Sequence, residues 1–237
     1  MVAEQQSLPR RHRWGLGAFV VVEAAYLLAS ILLAMQFSGP GPADVAVVVL
    51  VVGAPSILAA ALAILITRVR GNGPGIDLRL QWSWRSAGFG LLFGVAGLFV
   101  TIPASLLWTA IVGEDANSAA GLVFGEARGT WAWAVVVFVL IAGVAPICEE
   151  IVYRGLLWGA LEQRWGRWIA FGVSTVVFSV AHLELTRTPL LLIVAIPIGL
   201  ARLYTDSLSA SIVAHQVTNL LPGLVLMFTV AGALPAV

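Results

Sequence analysis

Two adjacent carboxylates and an arginine stand inside an otherwise apolar run at Ile147-Cys148-Glu149-Glu150-Ile151-Val152-Tyr153-Arg154-Gly155. Further along, His182 follows Phe178 by four residues, and Asn219 follows His215 by four. On a helix, residues four apart share a face. Each pair therefore projects together, as do Glu150 and Arg154. A carboxylate facing a histidine can hold and deprotonate a water. A histidine and an asparagine on one helix face can donate hydrogen bonds to an oxyanion. Glu149 as base, with His182, and His215 with Asn219 as donors, would make a peptide or ester hydrolase with no covalent intermediate. Glu149, His182 and His215 could equally hold a zinc ion with a water in the fourth position. These residues leave the two chemistries open. Cys148, the sole cysteine, is read as a core thiol, and no intrachain disulfide can form.

The surroundings make those charges conspicuous. Of the 237 residues, 60% are hydrophobic and 11% charged, against roughly 45–50% and about 25% in soluble domains. The apolar residues fall in long runs, as in a polytopic membrane protein. An ionisable group at the bilayer centre costs about 2.5–3.5 kcal/mol on insertion scales. Net charge is only +1, so nothing marks a nucleic-acid surface. All 13 basic residues are arginine, which suits a GC-rich, bacterial source.

The runs predict an all-α transmembrane bundle of about eight spans, with seven the alternative. Residues 1–13 form a short cytoplasmic tail, and 14–237 one integral membrane domain. Spans are expected over 14–37, 44–66, 86–112, 131–161, 168–183, 189–204, 208–221 and 222–237. Asp44 suits an N-cap of the second span. Ser38-Gly39-Pro40-Gly41-Pro42 reads as a tight turn. Residues 67–85 and 113–130 read as polar loops, the latter with Glu114 and Asp115. Gly88, Gly90, Gly94 and Gly97 would let a helix approach the third span closely. Glu23, in the first span, reads as a helix contact. Arg10, Arg11, Arg13, Arg68, Arg70, Arg79, Arg85, Arg164, Arg167 and Arg202 gather on one side; only Arg128 and Arg187 fall opposite. The positive-inside rule makes the richer side cytoplasmic, and eight spans would put both termini there.

Spans four and five make a hairpin about residues 165–166. Glu149 and His182 are equally far from that turn and should lie at one depth. Catalytic groups thus come from spans four, five and seven, in a site opening toward the cytoplasmic half.

At these residues the chain resembles the CPBP intramembrane proteases, which include CAAX prenyl endopeptidases of the Ras-converting-enzyme type and the bacterial Abi bacteriocin-processing and self-immunity proteins. Glu149-Glu150-x-x-x-Arg154 with Tyr153 and Gly155, Phe178-x-x-x-His182 and His215-x-x-x-Asn219 match that family's motifs in order, within residues 142–221. The resemblance implies that Glu149 and His182 activate water and that His215 and Asn219 bind the oxyanion. Glu150 and Arg154 orient them, with Tyr153 and Phe178 in support. It implies an endopeptidase acting on a membrane-associated peptide or protein in a bacterial cell membrane. No cofactor is preferred, and a zinc-dependent protease is the first alternative. A transporter or a non-catalytic scaffold would also keep such buried polar groups.

Overall fold

A computed structural model describes residues 12–37, 44–113 and 118–235. The turn expected at Ser38–Pro42, the pair Glu114 and Asp115, and Arg10 and Arg11 lie outside these residues. Every regular element among the described residues is helical. They are α1 (Leu16–Phe37), α2 (Val45–Arg70), a single turn α3 (Pro74–Asp77), α4 (Trp84–Val112), short α5 (Ala119–Gly125), α6 (Trp131–Trp165), α7 (Arg167–Ala181), α8 (Thr188–Thr205) and α9 (Leu208–Val230). Six of them, α1, α2, α4, α6, α8 and α9, are long and apolar enough to cross a membrane; α7, at 15 residues, is shorter.

The ends are set by local chemistry. The Asp44 carboxylate accepts from Ala46 N at 2.7 Å, and Ser83 Oγ accepts from Ser86 N at 3.0 Å. Each satisfies an amide that a helix start leaves unpaired. Gly166, with φ +82°, makes the α6–α7 turn in a conformation that side chains disfavour. The segment read as a polar loop, 67–85, is instead folded. Thr67 to Arg70 continue α2, and Asp77 on α3 accepts from Trp14 Nε1 at 3.0 Å and from Asn72 N at 2.9 Å. Leu78, fully buried, packs on Gly155.

The expected eighth span is absent as a separate element: α9 runs unbroken through Pro222 to Val230. Gly223 explains this. A Cβ there would already stand 3.1 Å from Ala142 Cβ, so the glycine lets α9 lie flat on α6 across the proline. Such a helix is tolerated because neighbours cover the freed carbonyl.

α6 is the central element, packed by α1, α2, α7 and α9, while α8 leans on α4, α7 and α9. Of the four glycines read as packing residues, Gly90 and Gly94 face α9 and Gly97 faces Pro197 on α8, while Gly88 approaches no neighbour. A Cβ at Gly94 would lie 2.7 Å from Val217 Cβ and 3.0 Å from Ala214 O. Gly94→Leu should therefore lower the melting temperature of the detergent-solubilised protein, by about 1–3 kcal/mol of overpacking. Gly88→Ala meets no atom within 4 Å and should not. Equal melting of both variants would reject the α4–α9 seam.

Two sets of contacts define the ends of the bundle. Arg13 N bonds Arg70 O at 2.9 Å, Trp14 packs on Gly159, and Leu208 N bonds Arg79 O at 3.1 Å. Gly129 N bonds Val230 O at 2.9 Å, and Gly129 also approaches Val45. The start of α1 and the end of α9 thus lie at opposite ends.

Candidate active site

The acidic motif lies where α6 is least regular. Its 35 residues contain two π-helical stretches, Val139–Val144 and Ile151–Leu157, with α-helical Ala145–Glu150 between them. Pro146 has no N–H to give, which interrupts the hydrogen-bond ladder at this point. Wider turns of this kind recur at functional sites. Side chains from α9 take up the carbonyls: Asn219 Nδ2 donates to Ile141 O at 3.1 Å, and Gln216 Nε2 to Gly143 O at 3.4 Å.

Glu150 and Arg154, both fully buried, form an ion pair at 3.0 Å. Glu150 Oε1 also meets His215 Nδ1 at 2.9 Å. Arg154 Nη2 donates to Ala195 O on α8 at 3.4 Å, and its guanidinium lies 4.3 Å from the centre of the Phe178 ring. Arg202, 2% exposed, donates to Arg154 O at 3.3 Å and to Asp206 Oδ1 at 2.7 Å. The charges are therefore paired and hydrogen-bonded, as burial requires.

Glu149 is different. Its side chain keeps 28% exposure, and its Oε2 stands 3.8 Å from His215 Nε2. That separation is too long for a direct hydrogen bond. One water could reach both atoms. A carboxylate can only accept, so the short contact to Glu150 fixes the proton of neutral His215 on Nδ1 and leaves Nε2 as an acceptor facing Glu149. The same logic holds for His182. Its Nδ1 lies 2.7 Å from Phe178 O, so Nδ1 donates and Nε2 is left to the site.

Phe178 joins these parts. Its ring lies 4.7 Å from His182, 5.6 Å from His215 and 5.3 Å from Tyr153, all edge-on. The structure thus brings Glu149, Glu150, Tyr153, Arg154, Phe178, His182 and His215 into one neighbourhood. Glu149 and His182 form no hydrogen bond or ion pair with each other among the described residues; the link runs from Tyr153, one turn past Glu149, to Phe178, one turn before His182. Asn219 adjoins the cluster with one N–H already given to α6. Among the described residues no three His, Cys, Asp or Glu side chains are grouped so as to hold a metal ion.

Sequence reasoning missed Gln216 and the burial of Arg202; Glu23, read as a helix contact, makes that contact with α6 at Tyr153. The Glu23 carboxylate, on α1, meets the Tyr153 hydroxyl and is within electrostatic reach of Glu149 and His182. The available signal was a lone acid in a span with no other charge. The hairpin registration has a direct check. Glu149→Cys with His182→Cys, in a Cys148→Ala background, should crosslink with a short bifunctional reagent. Stronger crosslinking of pairs displaced by one or two turns would overturn it.

An apolar helical bundle that buries an ion pair and a histidine behind a partly exposed carboxylate is the setting the three motifs describe. Residues 131–221, which hold all of them, match the family model for type II CAAX prenyl endopeptidases, Rce1-like. A protein of Bacillus subtilis (strain 168), named "Putative membrane peptidase YdiL", is 30% identical over 145 residues, 56% of this chain. The chain covers 55% of that relative's length. No solved structure matches the chain.

Proposed function

We propose that the protein is an intramembrane endopeptidase that hydrolyses a peptide bond in a membrane-associated peptide or protein. The observation that carries this reading is Glu149: a partly exposed carboxylate opposite a histidine whose other nitrogen is anchored on a buried, neutralised ion pair. The match over residues 131–221 and the related membrane peptidase support it.

In this reading a water sits between Glu149 and the histidines. Glu149 takes a proton as the water attacks the scissile carbonyl, and passes it to the leaving amine. His182 Nε2 accepts from the water and orients it. The tetrahedral oxyanion takes the free N–H of Asn219 and a proton-bearing His215. To donate through Nε2, His215 must be doubly protonated; the oxyanion itself and the Glu150 carboxylate at Nδ1 supply the counter-charge. Glu150 and Arg154 hold the His215 ring. A lipid bilayer surrounds the bundle, with the arginine-rich end cytoplasmic. Seven crossing helices, the six long ones with α7, would put the end of α9 on the side opposite the start of α1, in place of the two cytoplasmic termini that eight spans would give.

The test is cleavage of a quenched membrane-peptide library by the purified protein, beside Glu149→Gln, each with and without a zinc chelator. Cleavage lost only in the variant supports the glutamate mechanism. Cleavage lost to chelator and restored by zinc would replace it with the metal-dependent one. A gradient-driven flux unaffected by Glu149→Gln would favour the transporter.

A further inference from the structure

The matched region begins at residue 131, yet one acid that faces the site lies far upstream. α1 carries a single charged residue, Glu23, in its 22 positions. Keeping a carboxylate in such a helix is costly unless it is engaged. Its engagement is with α6. Phe19, one turn before Glu23, packs 5.9 Å from the Tyr153 ring, and Val22 beside it is fully buried. The same face places the Glu23 carboxylate near the Tyr153 hydroxyl. Among the described residues no arginine pairs with Glu23.

Tyr153 is 7% exposed and touches Phe19 on one side and Phe178 on the other. Phe178 in turn packs on both site histidines. A phenol left without a partner at this depth would cost stability and would be free to turn. The geometry points to Glu23 as a positioning residue: by accepting the Tyr153 hydroxyl it holds the Tyr153–Phe178 wall on which His182 and His215 rest. It does not touch the reacting atoms. The inference rests on the peptidase reading for its effect on turnover but not for its structural content.

Three variants separate the hydrogen bond from the bulk of the side chains. Tyr153→Phe removes one oxygen. Glu23→Leu removes the acceptor. Glu23→Gln keeps an acceptor and removes the charge. The first readout needs no substrate: the rate at which diethyl pyrocarbonate modifies His182, followed by mass spectrometry and referred to His12 in the same sample. Tyr153→Phe and Glu23→Leu should alter this ratio alike, the double variant no further, and Glu23→Gln should restore it. In turnover, the first two should lower kcat about tenfold with KM unchanged, as small misplacements do. A wild-type His182 rate in Tyr153→Phe overturns the proposal. So does a double variant whose change is the product of the two single changes. Absence of peptide cleavage by the wild type, with the modification pattern as expected, would count against the peptidase reading alone.

Discussion

Glu149→Gln should abolish peptide hydrolysis and leave the fold intact. The two halves of that expectation have separate causes. The Glu149 carboxylate forms no hydrogen bond or close ion pair among the described residues and keeps 28% exposure, so an amide of the same shape disturbs nothing. General base catalysis contributes typically 10²–10⁴-fold, and in this site no second free carboxylate adjoins His215. The melting temperature in detergent should therefore stay within about 0.5 kcal/mol-equivalent of wild type, the range of substitutions that break no special feature. Wild-type turnover by the variant would remove Glu149 from the mechanism.

Arg154→Leu should do the reverse, breaking the fold before the chemistry. Arg154 is fully buried and is the only arginine paired with Glu150 among the described residues. Its loss would leave the Glu150 carboxylate in an apolar interior with His215 alone. Removing one partner of a buried pair costs about 3–5 kcal/mol. Arg154→Lys should rescue little, because an ammonium cannot at once meet Glu150, reach Ala195 O and lie flat on Phe178. The pair Glu150→Leu with Arg154→Leu should regain most of the stability but not activity, since His215 Nδ1 then has no acceptor to fix its proton. Thermal melting and turnover of the three variants check this. A stable Arg154→Leu would show that the pair is dispensable to the fold.

Most of the helices were legible because they follow from hydropathy and spacing. Asp44 as a cap, the turn at Gly166 and the close approach at Gly94 were legible for the same reason: each is a local demand of the backbone. What failed depended on a neighbour. Pro222-Gly223 reads as a break in one dimension, but the glycine packs on Ala142 and carries the helix through. Pro55, Pro103 and Pro197, by contrast, were read inside continuous spans and lie inside continuous helices. The hairpin count placed Glu149 and His182 at one depth, yet could not show that Glu149 stands nearest His215. Asn219 was read as a free donor; its bond to Ile141 O depends on a π-helical turn that no periodicity announces. Glu23 was visible as an acid, but its partner 130 positions away was not.

The shortness of α7 has a hydraulic side. Its 15 residues rise about 22 Å, some 8 Å less than a hydrocarbon layer of about 30 Å. With the start of α7 at the membrane interface, the polar turn beyond its His182 cap, where Arg187 pairs with Glu184, would fall at a depth normally free of water. Glu184 also accepts from Ala119 N, so α5 folds over the turn. Irregular backbone at that depth is stable only beneath protein or beside a wet cavity. Around α7 the bilayer must therefore thin or a crevice must fill from that side. Either way, the reagent that hydrolysis consumes has its shortest path to the site along the unfinished end of one helix.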